Sequence, residues 1–441
     1  MIGLGCSKNQ VDAERLLFTL REAGFEISGD LEECDAVVIN TCGFIEDAKR
    51  ESIEAVLEMG SEKKKGKLKG IVVTGCLPER YQEEFARELP EAGGVLGIGK
   101  NSEIALAVEK AIAGERHVAF GPKEDLCLKG GRILTTPGYY AYLKLAEGCD
   151  NRCGYCAIPL IRGRFRSARM EDLVDEAKAL AAGGVRELNL VAQDTSRYGE
   201  DLYGKGMLPE LLARLGDIEG IRWLRVLYCY PDRVTDELLA VIQREPKVVK
   251  YMDLPLQHAS GKILSAMNRS GGRESLLKLI ARIRERVPGI TLRTTLIAGF
   301  PGETEEDFAE LCGFVKEARF DRLGCFAYSR EENTPAFELP GQIDEETKRR
   351  RAEVVMETQA PIAEELARAR AGKIQEILTE GFDSERGLFY GRGQGDAPDI
   401  DTRVYFSSAK SPEPGEFASV LITGSDGYDL TGETASGGEK P

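Results

Sequence analysis

Three cysteines on one short stretch have the residue type and spacing that a metal cluster needs. Cys149, Cys153 and Cys156 lie in the string EGCDNRCGYCAIP, with a C-x3-C-x2-C spacing. Thiolates this close in sequence can hold three irons of a 4Fe-4S cluster. No fourth cysteine follows at short range, which leaves one iron open to a ligand that binds through oxygen and nitrogen. We therefore predict a cluster that binds a small-molecule cofactor at its open iron.

A structural zinc site is the alternative for these three thiols. Zinc sites usually pair two short cysteine knuckles or add histidines, to reach four ligands. The chain contains only two histidines, His117 and His258, and neither lies near the three cysteines in sequence. The ligand count therefore favours the open cluster over zinc.

A second set of cysteines is spread over the first part of the chain. Cys6, Cys42 and Cys76 are 36 and 34 residues apart, and each directly follows a predicted parallel strand. Because the carboxyl ends of such strands meet at one edge of the sheet, the three thiols are expected to converge at a metal site. The alternative is that each is a small buried residue at a strand end. The five remaining cysteines show no pattern and are assigned to packing: Cys34, Cys127, Cys229, Cys312 and Cys325.

The elements that must position these thiols form an α/β protein of three domains. Residues 1–128 alternate strand-like runs with amphipathic helices, which predicts an N-terminal parallel α/β domain. After a turn-rich linker, residues 137–366 contain about six strand-helix repeats, which predict an open six-stranded partial (β/α) barrel with its chemistry at the strands' carboxyl ends. Residues 372–441 carry short alternating strands separated by Gly, Pro and Asp, which predict a small antiparallel β-barrel.

Composition narrows the setting in which this chemistry occurs. With 74 acidic and 59 basic residues the net charge is -15, which favours a basic partner over nucleic acid. Eleven cysteines are an odd number, which argues against a disulfide scaffold. There is no apolar run of membrane-spanning length, and the start MIGLGCSKNQ lacks the features of a signal peptide. We expect a cytoplasmic, monomeric protein without membrane association.

The string CGYCAIPLIRGRFRS and the order of the three domains resemble the methylthiotransferase branch of the radical S-adenosylmethionine superfamily. In that family a 4Fe-4S cluster donates one electron to S-adenosylmethionine, and the resulting 5'-deoxyadenosyl radical abstracts hydrogen from the substrate. The positions of Cys6, Cys42 and Cys76 hold an auxiliary 4Fe-4S cluster there, whose open iron carries the sulfur to be inserted. The resemblance thus implies two 4Fe-4S clusters, S-adenosylmethionine and a reducing electron donor such as a flavodoxin.

The resemblance also implies which residues lie beside the cofactor. No catalytic residue is assigned beyond the cluster ligands. Tyr155 is a candidate to pack under the adenine, with a core aromatic as the alternative. A lone histidine is more often structural, and turn chemistry explains much of the Gly-Pro-Gly string GFPGE. The other residues expected beside the cofactor are Gln193, Asp194, Gln257, His258 and Gly299.

Three arginines follow the cluster loop at alternating positions. Arg162, Arg164 and Arg166 are candidates to bind a substrate carboxylate or to steady the loop by charge-assisted hydrogen bonds. A solvated basic loop is the alternative.

The substrate has to be inferred from other parts of the chain. The family divides between MiaB-type enzymes, which modify an adenosine in transfer RNA, and RimO-type enzymes, which modify an aspartate of small-subunit ribosomal protein S twelve. The terminal domain resembles the TRAM module, which usually binds RNA and is then expected to be basic. Residues 372–441 instead hold 13 Asp or Glu and 6 Lys or Arg, a net charge of -7. Such a surface repels phosphates and attracts a basic ribosomal protein.

The acidic string GDAPDID, with Asp396, Asp399 and Asp401, is the densest part of this charge, unless it is only a solvated loop. The strings GCSKNQVDAE, QDTSRYG and PLQHAS also resemble the RimO-type branch. Its reaction, by this resemblance, joins a methylthio group to the β-carbon of the aspartate. A non-catalytic iron-sulfur protein that senses redox state or assists ribosome assembly is the alternative from another class.

Overall fold

The structure, a computed structural model, describes residues 1–435; residues 436–441 of the predicted terminal barrel lie outside the described residues. Within the described part, none of the helices has the length and hydrophobicity that crossing a bilayer requires.

The N-terminal domain is a parallel sheet covered by helices on both faces. Its five strands lie in chain order: β1 (Ile2–Gly3), β2 (Ala36–Thr41), β3 (Gly70–Gly75), β4 (Gly94–Leu96) and β5 (His117–Ala119). Its helices are α1 (Ser7–Glu22), α2 (Glu46–Lys64), α3 (Cys76–Glu88) and α4 (Ile104–Ile112). Helices α1 and α4 pack on one face, and α2 and α3 pack on the other. The sequence pattern indicated only three of the strands, because β4 and β5 have three residues each.

The sheet places the second set of cysteines at one edge. Cys6 is the N-cap residue of α1, Cys42 directly follows β2, and Cys76 is the first residue of α3. The turn before Cys76 needs a glycine: Gly75 has a φ of 100°, and a Cβ there would lie 2.5 Å from the carbonyl oxygen of Thr41.

The central domain contains the six predicted parallel strands in an open arc. They are β6 (Tyr140–Lys144), β9 (Glu187–Val191), β10 (Trp223–Val226), β11 (Tyr251–Gln257), β12 (Thr291–Ala298) and β13 (Arg322–Ala327). Two groups of three are joined by a single bridge between Leu224 and Val248, so the expected partial barrel is confirmed. A short antiparallel pair, β7 (Ala146–Glu147) and β8 (Arg166–Ser167), flanks the cysteine loop.

Helices surround this arc, and those of six residues or more bury apolar side chains against it in one continuous core. The helices are α5 (Ile158–Arg162), α6 (Met170–Ala182), α7 (Glu200–Tyr203), α8 (Leu208–Gly216), α9 (Asp236–Arg244), α10 (Gly261–Ala266), α11 (Arg273–Arg286), α12 (Glu305–Ala318) and α13 (Glu345–Arg368).

The C-terminal domain is a closed five-stranded barrel. Its strands are β14 (Ile374–Asp383), β15 (Leu388–Gly393), β16 (Val404–Ser407), β17 (Phe417–Asp426) and β18 (Asp429–Thr434). The strand patterns in the sequence indicated β14, β16 and β17. The barrel is antiparallel except where β16 and β18 pair in parallel to close it.

The acidic string of this barrel faces the central domain. Asp396 is 1% exposed and accepts a hydrogen bond of 2.5 Å from Arg322. Asp401 accepts one of 2.6 Å from the Tyr251 hydroxyl, and Asp399 accepts one of 3.0 Å from Tyr140. The prediction that this string attracts a basic protein is therefore wrong for Asp396 and Asp401, because both carboxylates attach the barrel to its neighbour.

A candidate active site between the first two domains

The loop that carries the first three cysteines is held by its backbone. The Gly154 amide donates to the Met267 carbonyl, and the Gly154 carbonyl accepts from the Ala336 amide, both at 2.8 Å. The side chain of Asn268 donates to the Arg152 carbonyl at 2.9 Å. Fixed at these points, the loop keeps Cys149, Cys153 and Cys156 on one side of the barrel opening.

Two side-chain contacts join this loop to the barrel. Arg269 is 8% exposed, and its guanidinium lies 3.6 Å from the sulfur of Cys153. Asn151, between the first two cysteines, donates to Asp194 at 2.8 Å. A guanidinium at a sulfur favours the thiolate that a metal requires.

The second set of cysteines meets the first at the domain interface. Cys76 packs against Ala157 and Ile161, which follow the cysteine loop, and both of these residues are fully buried. Gly43 leaves no room for a side chain, because a Cβ there would lie 2.9 Å from the Leu77 backbone. The loop after β2 therefore packs tightly on the start of α3. This packing brings Cys42 and Cys76 together.

Arg162 connects the two domains at this point. Its guanidinium donates to the Cys76 sulfur at 3.2 Å, to Asn9 at 2.9 Å and to Asp12 at 2.6 Å. Asp12 and Glu147 also bind Lys144, and all of these charged side chains are buried. Of the three arginines singled out in the sequence, Arg162 therefore supports the site. The side chain of Arg164 is 83% exposed.

The thiols of the second set differ in acidity because their charged neighbours differ. Burial opposes ionisation of Cys6, but Lys8 and Arg162 outweigh it and lower its pKa. Burial and the neighbouring Cys76 raise the pKa of Cys42 to about 12. In the first set, burial raises the pKa of Cys149 to about 11. Of Cys6, Cys42 and Cys149, Cys6 is thus the thiol whose surroundings most favour the thiolate.

Gln193 and Asp194 lie directly beneath the cysteine loop. The amide of Gln193 donates to Glu147 at 2.9 Å, whereas its carbonyl oxygen is buried and has no hydrogen-bond partner among residues 1–435. An orphaned acceptor of this kind suits a donor such as the amino group of a cofactor. Asp194 instead holds Asn151, so it orients the loop.

His258 is held by hydrogen bonds at both ring nitrogens, and its predicted contact with the cofactor stays a prediction. His258 is fully buried, accepts from the Ser260 amide at 3.0 Å and donates to Glu303 at 3.1 Å. Glu303 also accepts from the Gly299 amide at 2.9 Å. The two ring nitrogens therefore join the turn after β11, which contains Ser260, to the turn after β12, which contains Glu303.

The predicted contact of Gly299 with the cofactor stays a prediction. Gly299 has a φ of 78°, and a Cβ there would collide with the side chain of Lys348, 2.4 Å away. Its backbone therefore approaches a lysine of α13 rather than open space. Gln257 ends β11 with a φ of 73°, and its predicted contact with the cofactor stays a prediction.

Tyr155 is half-buried beside the cysteine loop. It packs on an apolar cluster formed by Ile263, Met267, Phe300, Tyr328 and Ala336. This placement is compatible with packing under an adenine and with a core role, so both expectations stay open.

Models of three protein families match the chain in order. They are described as uncharacterized protein family UPF0004 (residues 1–97), the radical SAM superfamily (residues 143–315) and the TRAM domain (residues 371–435).

Curated relatives match the whole chain. "Ribosomal protein uS12 methylthiotransferase RimO" of Pelotomaculum thermopropionicum is 49% identical, and the match covers 98% of each chain. The proteins of the same name in Thermoanaerobacter sp. and Clostridioides difficile are each 48% identical, over 98% of this chain and 99% and 97% of theirs. The chain belongs to the RimO family. Its members are radical S-adenosylmethionine methylthiotransferases, and the RimO assignment favours the protein-modifying branch over the MiaB type.

A solved structure resembles this RimO-family chain in fold. The radical S-adenosylmethionine methyltransferase TsrM of Kitasatospora setae, solved with cobalamin and a 4Fe-4S cluster, is 16% identical with a TM-score of 0.57. The match covers 75% of this chain and 71% of TsrM.

The donor groups of this RimO-family chain fit the cofactors of the superfamily, an iron-sulfur cluster and S-adenosylmethionine. Each set offers three thiols. In each set one of the three sulfurs accepts a hydrogen bond from an arginine: Cys153 in the first set and Cys76 in the second. Within residues 1–435, no three His, Cys, Asp or Glu side chains are placed to bind a single metal ion. A 4Fe-4S cluster puts each thiolate on a different iron, so its ligands need no shared metal.

Sequence reasoning missed three residues of the site in this RimO-family chain. Lys8 and Tyr228 contact each other across the domain interface, and Arg269 contacts Cys153. The local signal was the position of Tyr228 at the carboxyl end of a predicted strand. All three contacts depend on how segments far apart in the chain pack together.

Proposed function

We propose that this chain joins a methylthio group to the β-carbon of an aspartate in ribosomal protein uS12. The proposal draws its substrate from the RimO relatives, which match over nearly the whole chain. When bound, the two 4Fe-4S clusters and S-adenosylmethionine supply the electron, the radical and the sulfur, because this carbon-hydrogen bond is inert to acid-base chemistry.

The proposed ligands divide the work between the two sets of cysteines. Cys149, Cys153 and Cys156 hold the cluster at which S-adenosylmethionine is cleaved, and Cys6, Cys42 and Cys76 hold the auxiliary cluster. One observation carries this assignment: Cys76 of the second set packs on Ala157 and Ile161, directly after the first set. Two cofactors held by these thiols would lie near each other, as sulfur insertion requires.

The remaining residues of the site bind, orient and exclude water. Asn151 and Asp194 fix the cysteine loop, and the carbonyl of Gln193 is available to the cofactor's amino group. The packed face between α3 and α5 closes one side of the site to water. Water exclusion matters here because it prevents side reactions of a reactive intermediate.

The C-terminal barrel supports the proposed substrate through its charge. Asp396 and Asp401 are engaged in the domain interface, so docking of a basic protein falls to exposed acidic residues elsewhere on the barrel. These are Glu385, Glu413, Glu416, Asp426 and Glu433. The proposal also includes a monomeric enzyme and a reducing partner such as a flavodoxin.

The test is anaerobic turnover of the reconstituted protein with S-adenosylmethionine labelled in its methyl group. Purified uS12 and a transfer-RNA anticodon stem-loop are offered together, and both are analysed by mass spectrometry. Labelled methylthio groups on a uS12 aspartate, with unmodified RNA, are expected. Modification of the RNA alone would contradict the proposal. A Cys325→Ala variant, altered at a cysteine of β13 that belongs to neither set, is the matched control and should keep full activity.

A further inference from the structure

Lys8 is a buried cation that lacks a carboxylate partner. It is 7% exposed, and no Asp or Glu oxygen within residues 1–435 lies within 4.0 Å of its ammonium group. Its close contact is the ring of Tyr228, with the nitrogen 3.3 Å from the ring centroid. Its acidic neighbour is the Cys6 thiol, whose pKa it lowers, and burying an ammonium group without a carboxylate to accept its hydrogen bonds is costly, so this arrangement needs a reason.

The other buried lysines of the described chain are all paired with acids. Lys49 binds Glu46 and Glu331, Lys144 binds Asp12 and Glu147, and Lys348 binds Glu345. The same holds for the other buried charges of α1, since Asp12, Glu14 and Arg15 each have an oppositely charged partner. Lys8 therefore differs from the other buried charged residues of α1, which have oppositely charged partners.

The position of Lys8 is next to the proposed auxiliary cluster. It lies two residues after Cys6, in the first turn of α1, which contains no acidic residue. The amino end of a helix carries positive potential, so an anion at this position is favoured both by the helix and by the Lys8 ammonium group. The sulfur of Cys6 does not accept a hydrogen bond from Lys8, which points to the Tyr228 ring instead.

The backbone conformation of Tyr228 is of a kind found at functional sites. Tyr228 follows β10 at the carboxyl end of the barrel strands and has a φ of 61°, which is rare for a bulky residue. Its amide donates to Asp253 at 3.1 Å, and its carbonyl accepts from Thr195. These bonds hold the strained backbone in place, and strain of this kind concentrates at ligand-binding positions.

We propose that Lys8, resting on the Tyr228 ring, binds the carboxylate of the aspartate that is modified. This inference rests on the proposed function. The reacting β-carbon is bonded directly to the carboxylate carbon, so a sulfur held at the cluster near Cys6 must lie close to that carboxylate. An ammonium group has three hydrogen-bond donors, and the ring occupies only one side of it. Lys8 is thus a substrate-positioning residue that selects aspartate.

The test is a binding cycle with reconstituted enzyme and S-adenosylmethionine, without reductant. Two forms of uS12 are compared, one natural and one with the target aspartate changed to asparagine. We expect the unaltered enzyme to bind the aspartate form at least about tenfold more tightly, the effect of a desolvated charge pair. In Lys8→Met the two forms should bind within about twofold of each other. Lys8→Arg, which keeps the charge, should retain most of the preference.

Lys49→Met is the matched control, because Lys49 is a buried lysine of the same domain that already has acidic partners. It should leave the preference for aspartate unchanged. A preference that survives Lys8→Met would overturn the inference, as would loss of one cluster's iron in that variant, since Lys8 would then serve the cluster. Modification of uS12 without a preference in binding defeats this inference alone. Failure of the enzyme to bind or modify either form defeats the proposed function as well.

Discussion

The guanidinium of Arg162 lies 3.2 Å from the sulfur of Cys76, although the two residues belong to different domains. Arg162 ends the helix that follows one set of cysteines, and Cys76 belongs to the other set. The same guanidinium binds Asp12 and Glu147, which lie on opposite sides of the interface. One side chain thus ties the relative position of both proposed clusters to a buried ionic network.

Loss of this arginine should weaken both the fold and the auxiliary cluster. Arg162→Gln leaves Asp12 and Glu147 with Lys144 as their one cation among residues 1–435, so we expect a loss of about 3 kcal/mol in unfolding free energy. The iron content should fall towards one cluster, because Cys76 loses its hydrogen-bond donor. Chemical denaturation and iron analysis measure these effects. Arg164→Gln, at a largely exposed position, is the control, and equal effects of the two substitutions would contradict the account.

The turn after β12 offers a matched pair of glycines. Gly302→Ala, at a φ of 82° with no atom within 4 Å of the new Cβ, should cost only the conformational penalty of about 1–2 kcal/mol. Gly299→Ala adds a collision with Lys348 and should cost about 1–3 kcal/mol more. Denaturant unfolding of both variants measures the difference. Adding Lys348→Ala to the second variant removes the nearest contact, Cγ of Lys348, and should restore part of its stability; no such recovery would mean that this contact is not the cause.

The attachment of the C-terminal barrel should depend on pH through Asp396. Burial opposes its ionisation, but Arg322 and Arg370 outweigh burial and hold the pKa of Asp396 below its usual value. The stabilisation is then present above the ordinary carboxyl pKa of about 3.9 and is lost as the pH falls through the lower pKa of the folded state. Asp396→Asn should therefore be less stable at neutral pH, and the difference should shrink in acid.

Unfolding measured from about pH 7 down to about pH 3 checks this prediction. Glu385→Gln, at an exposed position on the same barrel, is the control and should follow the unaltered protein at every pH. A constant difference between Asp396→Asn and the unaltered protein over this range would contradict the prediction.

The exposed acids of the barrel should matter for association rather than for chemistry. Replacing Glu413, Glu416 and Glu433 by glutamine should raise the KM for uS12 several-fold and weaken its salt dependence, with kcat unchanged, because rim charges act mainly on encounter. Steady-state kinetics at two salt concentrations measure this effect. An unchanged KM would show that uS12 docks elsewhere.

The sequence predicted the two sets of cysteines and the strands before them because both are local patterns. Cys149, Cys153 and Cys156 share one loop, and the alternation of strands and helices fixes where each parallel strand ends. The contacts of Arg162 with Cys76, and of Lys8 with Tyr228, join segments 86 residues apart and more. Such contacts follow from domain packing. The same reason explains the wrong prediction that Asp396 attracts a basic protein. The sequence of an acidic loop is the same whether the loop faces solvent or an arginine of another domain.

The most direct test of the account separates cleavage from insertion in one anaerobic reaction with uS12 and S-adenosylmethionine. Cys153→Ala should form neither 5'-deoxyadenosine nor methylthiolated uS12. Cys42→Ala should still form 5'-deoxyadenosine, lose about one cluster of iron and leave uS12 unmodified. Retained cleavage in Cys153→Ala, or methylthiolated uS12 from Cys42→Ala, would contradict the claim that two sets of cysteines hold two clusters with different tasks.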